Sequence, residues 1–189
     1  MSILKLPREK LQEVIVPIFI ATKGDDPDLI EYLGTGFILA PKLIVTCWHV
    51  VNVNITSDQQ IVAIVVKEDG SDHKLIPLVN LERDGNNLDL ATANHLYEPS
   101  DNILVLSKID SPFGLEVWTY GYPLSEPKLQ LDGTKNYIVP PQYFKGYIMR
   151  DLYYEHAEYG SVPSYEIDIN VPQGLSGAPL MEIGTTLHM

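Results

Sequence analysis

The sequence predicts an all-β protein built on antiparallel strands, and three features carry that prediction. Short apolar runs rich in Val, Ile and other β-branched residues recur along the chain. Clusters of Gly, Pro, Asn and Asp separate those runs at short intervals, as tight reversals require. Stretches with the 3.6-residue periodicity of an amphipathic helix are almost absent. Together these describe an antiparallel barrel or sandwich.

Taken in order, Val14 to Thr22 reads as a buried strand, and Lys23 to Asp28, with Gly24 and Pro27, reads as a loop. Leu33 to Leu39 and Lys42 to Thr46 are two further strands joined by a turn at Ala40-Pro41. Gly34 and Gly36 inside the first of these mark a bulge or a close backbone approach. Val50 to Ser57 suits a short helical turn before a strand at Ile61 to Lys67. A turn at Glu68 to Asp72, around Gly70, returns the chain as a strand over Lys74 to Asn80. Asp84 to Asn87 is the next turn, followed by strands at Leu88 to Ala93 and Ile103 to Ser107. Pro112 and Gly114 make Ser111 to Gly114 the link between two halves.

In the second half, Leu115 to Tyr122 is a strand and a loop with Pro123 and Pro127 follows. Tyr143 to Tyr154 alternates as a strand with one wetter face. A loop from Glu155 to Pro163 leads to Ser164–Val171, a strand running straight into the turn that holds Ser176. Pro179 to Ile183 supplies one more short strand.

Composition narrows the function classes. A chain of 189 residues with 45% hydrophobic and 20% charged residues can bury a core as one domain or two small packed halves. A formal charge of −12 without a basic cluster argues against nucleic acid, because phosphate binding needs a positive field. No apolar run reaches membrane-spanning length, and the first residues lack the charged start, long apolar run and small-residue cleavage site of a signal peptide. The single cysteine, Cys47, rules out an internal disulfide, so the expected setting is the reducing cytoplasm. No Cys/His cluster has metal-ligand spacing, and no cofactor is expected.

The stretch that concentrates chemistry is Gln173-Gly-Leu-Ser-Gly-Ala-Pro179. Small residues on both sides of Ser176 suit a tight turn that exposes a hydroxyl while converging main-chain N–H groups, here those of Gly174 and Ser176, on an oxyanion. Alone, such a match is usually a Ser/Gly surface turn. A serine hydroxyl also needs a base and a residue that orients the base. Among five histidines, His49 stands apart, ending two apolar strands, whereas His73, His95, His156 and His188 lie in polar or terminal surroundings and read as solvated. By setting alone, a satisfied strand-end histidine is as good an account of His49 as a catalytic one.

Five segments in order change that balance: Gly34-Thr35-Gly36-Phe37, Ile44-Val45-Thr46-Cys47-Trp48-His49-Val50, Leu88-Asp89-Leu90-Ala91, Gly121-Tyr122-Pro123 and Gly174-Leu175-Ser176-Gly177-Ala178-Pro179. They resemble the successive landmarks of trypsin-like serine peptidases, most of all the bacterial branch of HtrA-like and glutamyl-endopeptidase-like enzymes, over nearly the whole chain from Val14 onward. The resemblance implies two antiparallel Greek-key β-barrels in one peptidase domain over 1–189, with an N-terminal barrel at 13–110 and a partial C-terminal barrel at 115–189. It implies His49 as general base, Asp89 as the residue orienting it, Ser176 as nucleophile, and a protein or peptide substrate.

Other carboxylates have plainer accounts: Asp84 lies in a Gly-Asn turn, and Asp168 reads as structural or as a pocket wall. Cys47 and Trp48 stand where secreted relatives often carry alanines, and Cys47 reads as a small buried hydrophobe. Only Leu180 to Met189 follows the nucleophile loop, where the family continues through strands that complete the second barrel. An incomplete second barrel with an unpaired edge is therefore expected, unless strands come from a partner chain or a fused segment beyond the C-terminus. This feature keeps a rival open, a catalytically silent domain serving as a protein-interaction module or remnant. An esterase would use the same machinery, although the Gly-x-Ser-x-Gly elbow of many esterases is absent.

Overall fold

The computed structural model describes residues 8–66, 73–86, 88–97, 104, 113–123, 126–129, 135–138, 140–157 and 160–182. Its elements in chain order are helix α1 (Arg8–Val14), strands β1 (Ile15–Thr22), β2 (Leu29–Ala40) and β3 (Leu43–Thr46), and helix α2 (Trp48–Val51). Then follow β4 (Gln59–Val66), β5 (His73–Pro77), β6 (Val79–Arg83), β7 (Ala91–Asn94) and β8 (Glu116–Gly121). The last are β9 (Glu126–Leu129), β10 (Lys135–Ile138), β11 (Gln142–His156), β12 (Gly160–Ile167) and β13 (Leu180–Glu182).

Two curled antiparallel sheets, each a half-barrel, hold almost all of these strands, as the all-β expectation required. The first sheet runs β5-β4-β1-β2-β3-β7-β6. Strand β1 is its spine, because it is apolar on both faces and pairs with β2 on one side and β4 on the other. Val16, Ile18, Ile38, Ile44, Ile61, Ala63, Val65 and Ala93 fill the inside of this sheet. Gly34 sits opposite Ile18 beside a bulge, and a Cβ there would meet Val50 Cγ2 at 2.8 Å and the Ser176 carbonyl oxygen at 3.0 Å. The close approach expected at this glycine thus brings the first half against the loop that carries Ser176.

The second sheet runs β12-β11-β8-β13, with β9 and β10 forming a separate hairpin. Strand β8 is central and buried, and Trp118, Tyr120, Tyr122 and Met181 pack with Leu11, Val14 and Ile15 of the first half. At this junction Tyr122 Oη donates to the Ile15 carbonyl at 2.8 Å. Among the described residues β12 pairs only with β11 and β13 only with β8, so both sheet edges stand unpaired. Tyr143, Tyr147, Met149, Tyr153, Tyr154 and Tyr165 are exposed along the β11–β12 ribbon.

Several element boundaries differ from the sequence expectation. Helix α1 and the β9–β10 hairpin were not foreseen, and β2 starts at Leu29 rather than Leu33. Strand β12 covers Gly160–Ile167 rather than Ser164–Val171. Pro163 reads as a loop signal, yet it lies opposite Tyr153 on an edge strand, the place in a sheet where proline is tolerated. Asp168 ends the ladder, because its Oδ1 takes the Tyr147 N–H at 2.5 Å. Strand β7 starts at Ala91, so Asp89 lies in the loop before it, and Leu90 is 39% exposed. The turn expected at Glu68 to Asp72 and the strand at Ile103 to Ser107 lie outside the described residues, apart from Leu104.

Candidate active site

Strand β3 runs inward through Ile44 and Val45 and ends at Thr46, where the chain turns into α2. Because Val50 and Val51 are buried, that single helical turn leaves His49 on the open side. Its Nδ1 lies 2.6 Å from Asp89 Oδ2, while its own backbone N–H donates to Asp89 Oδ1 at 2.9 Å. One carboxylate therefore holds both the ring and the main chain of the same residue. The side chains are 50% and 27% exposed, respectively, so the pair meets solvent on one side.

The Asp89 loop is braced from below. The Arg83 guanidinium lies over the Trp48 ring at 5.9 Å, and Arg83 Nε donates to the Leu88 carbonyl at 3.5 Å, the weak end of hydrogen bonding. Asp84 caps its own turn through Asn86 N–H at 2.8 Å, which agrees with the structural account of that residue. The Oδ1 of Asp168 is engaged by the Tyr147 main chain.

Cys47 is half-buried two residues before His49. Burial, then the nearby Asp89 charge and a hydrogen bond to Asp89, push its thiol up to about 11, against a smaller opposing effect of the Gly177 N–H. That N–H contact puts the residue following Ser176 against the residue-47 end of the His49 turn. Cys47, His49 and Asp89 each place one metal-ligating atom within 4.8 Å of the others. The 2.6 Å between Nδ1 and Oδ2 is a hydrogen bond, whereas two ligands on one tetrahedral zinc ion stand about 3.3 Å apart. The arrangement as it stands is a hydrogen-bonded pair and not a chelate.

The loop carrying Ser176 is held by its carbonyls. Ala178 N–H donates to Leu175 O at 2.8 Å and Leu175 N–H to Pro172 O at 3.4 Å. Thr35 N–H donates to Ser176 O at 2.9 Å, and Gly174 O receives both Tyr32 Oη at 2.7 Å and Thr35 Oγ1 at 3.0 Å. Gly174 and Gly177 have φ of 95° and 85°, in the region where only glycine sits without strain. Among the described residues the N–H groups of Gly174 and Ser176 and the Ser176 hydroxyl make no hydrogen bond. The loop thus spends its acceptors on the protein and keeps two donors and a hydroxyl free.

Tyr32 and Thr35 had no role assigned from sequence. Thr35 stands inside a recognised motif, but nothing local reveals that it meets residues 139 and more positions away. His95 needs a correction: it is 1% exposed and not solvated. Its Nδ1 accepts the Tyr97 N–H at 3.1 Å, its Nε2 has no partner among the described residues, and burial holds its imidazole below the ordinary histidine value. His73 is exposed as expected, and His188 lies outside the described residues.

Comparison with known proteins agrees with this architecture. The solved structures similar to this chain include the Rv3671c protease of M. tuberculosis in its active form, at 18% identity and TM-score 0.64, covering 93% of this chain and 68% of that one. Deg5 matches at 20% identity and TM-score 0.63 over 92% of this chain and 76% of its own. The HtrA-type protease AlgW, solved with a decapeptide, matches at 14% identity and TM-score 0.62 over 96% and 57%. At such identities the likeness is one of fold. A search of curated protein sequences found no match. The family model described as a trypsin-like peptidase domain matches residues 34–185, most of the chain, so this protein belongs to the trypsin-like peptidase family, with an HtrA-like fold.

Proposed function

We propose that the chain is a serine endopeptidase that cleaves peptide bonds in protein or peptide substrates through Ser176, His49 and Asp89. The observation that carries this reading is the pair of bonds from Asp89 to His49, one to ring Nδ1 at 2.6 Å and one to the backbone N–H at 2.9 Å. With a proton on Nδ1 facing the carboxylate, Nε2 keeps its lone pair for the serine proton.

In the first step Ser176 Oγ attacks the substrate carbonyl carbon and Nε2 takes the hydroxyl proton. The carbonyl oxygen becomes an oxyanion that the N–H groups of Gly174 and Ser176 receive. The intermediate collapses, the C–N bond breaks, and the imidazolium returns its proton to the leaving amine, giving an acyl-enzyme. Water, deprotonated by the same nitrogen, repeats the sequence and releases the acid with Ser176 restored. No metal or cofactor takes part.

A fluorophosphonate probe tests the reading. Covalent labelling of the wild-type chain that vanishes in Ser176→Ala is the expected result. A folded wild-type chain that takes no label favours the second reading, a catalytically silent domain. The edges of β12 and β13, which pair with no further strand among the described residues, and the exposed tyrosine ribbon on β11 and β12 favour that alternative, since such surfaces suit partner binding.

A further inference from the structure

We propose that Tyr32 and Thr35 are positioning residues that clamp the Gly174 carbonyl and thereby hold the oxyanion-binding loop in its working shape. The inference rests on the serine-peptidase reading for its link to reactivity, whereas the clamp is a matter of geometry.

The Gly174 carbonyl receives two hydroxyl donors, Tyr32 Oη at 2.7 Å and Thr35 Oγ1 at 3.0 Å, and the two hydroxyls lie 3.4 Å from each other. Both donors belong to β2, in the other half of the molecule. Neither is free to swing away. Tyr32 packs edge-on to Phe19 with centroids 5.2 Å apart, and burial pushes its phenol up to about 12, so it remains a donor across the working pH range. Thr35 is fully buried; Tyr122 N–H reaches its Oγ1 at 3.3 Å, and Thr46 Oγ1 donates to its carbonyl at 2.7 Å. Its own N–H grips the Ser176 carbonyl, so one residue fixes both carbonyls that bracket the loop's centre.

Glycine at 174, with φ of 95°, carries no Cβ to restrict the torsions on its side of the 174–175 peptide, whose N–H reaches, among the described residues, only Pro172 O at 3.4 Å. A peptide that can rotate freely needs external bonds to stay put. The oxyanion donors, Gly174 N–H and Ser176 N–H, lie on the two peptides that flank the 174–175 unit, so a turn of the Gly174 carbonyl would draw both out of convergence. Two donors on the carbonyl oppose that rotation, and either alone holds most of the population.

The test compares Tyr32→Phe, Thr35→Val, Thr35→Ser and the double variant Y32F/T35V with wild type in two readouts. One is the second-order rate of fluorophosphonate labelling across pH; the other is amide exchange over residues 172–178, with β1 amides as reference. In the double variant, exchange over 172–178 should accelerate about tenfold or more while β1 is unchanged, and labelling should fall about tenfold with the same pH midpoint. Y32F alone should lose threefold or less in labelling, and Thr35→Ser, which keeps its hydroxyl, should match wild type. Unchanged exchange or unchanged labelling in the double variant overturns the clamp. Where the double variant fails to fold, Y32F alone decides through exchange, with about fivefold acceleration expected and none overturning the proposal. A wild-type chain that takes no label sinks the peptidase reading and leaves exchange to judge the clamp.

Discussion

The geometry around Asp89 makes one substitution unusually informative. In Asp89→Asn, one carboxylate oxygen becomes an NH2 group, and two of its partners compete for the remaining oxygen. The His49 backbone N–H, 2.9 Å from Oδ1, is a donor in every state and can only face oxygen. The NH2 group is then forced onto the Oδ2 site, 2.6 Å from His49 Nδ1, where it needs an acceptor. Nδ1 must give up its proton, and the neutral ring carries hydrogen on Nε2 instead. That nitrogen no longer has a lone pair with which to take the Ser176 proton. The expected loss is about 10⁴-fold in reactivity, or about 5.5 kcal/mol of barrier. Folding should change little, because the Asp89 side chain is 27% exposed and its bonds are replaced in kind. The assay is the second-order rate of fluorophosphonate labelling beside thermal unfolding of both chains. A folded Asp89→Asn variant that labels within tenfold of wild type refutes the reasoning, because it would mean the tautomer is not set by this contact.

Gly177→Ala should cost about 3 kcal/mol, summing about 1–2 for an L-residue at φ of 85° with about 1 or more for the Thr46–Thr35 bond that the new Cβ would overlap; an unchanged urea midpoint together with unchanged labelling would rule that out. At pH 7.5 Cys47 should react with iodoacetamide on the order of 300-fold more slowly than a free thiol, because a thiol raised to about 11 holds that much less thiolate than one at 8.5, and the rate should climb roughly tenfold per pH unit up to about pH 11. Since the Asp89 charge is among the causes of that shift, Asp89→Asn should also speed alkylation of Cys47, and no change would remove the contact from consideration.

What the sequence made legible was local. The β-branched runs at Ile15–Thr22 and Leu43–Thr46 dictated their strands, because burial on both faces leaves little else for such residues to do. His49 and Asp89 were legible through flanking motifs, and the structure brings them into contact across 40 positions. Asp84 was read correctly because an Asx turn is made within three residues. Pro163 misled because propensity cannot tell an edge strand from a central one, and only the pairing decides whether a missing N–H matters. His95 misled because nothing in the local sequence tells that its side chain is 1% exposed. Tyr32 was silent for the same reason: the carbonyl it binds is 142 residues away.

The same distance in sequence explains how the loop gains its rigidity. Within its own half, among the described residues, the loop has Ala178 N–H to Leu175 O at 2.8 Å, Thr119 Oγ1 to Pro179 O at 2.9 Å at its end, and one bond at 3.4 Å. Three further bonds come from β2 across the junction, two from Thr35 and one from Tyr32. At about 1 kcal/mol net each they favour the held loop by roughly 3 kcal/mol, so a released loop amounts to about one molecule in a hundred before substrate arrives; removing both hydroxyls takes away about 2 kcal/mol and leaves the Gly174 carbonyl without a partner, about 1–3 kcal/mol more, which makes the released loop the commoner form. Electrostatic stabilisation is effective only when the dipoles are already in place, and that margin suffices for it. The margin exists only while the two halves are docked through Ile15, Trp118, Tyr120 and Tyr122. Any change that loosens this junction should therefore cost reactivity before it costs secondary structure, because the sheets carry their own ladders while the loop borrows its bonds from the other side.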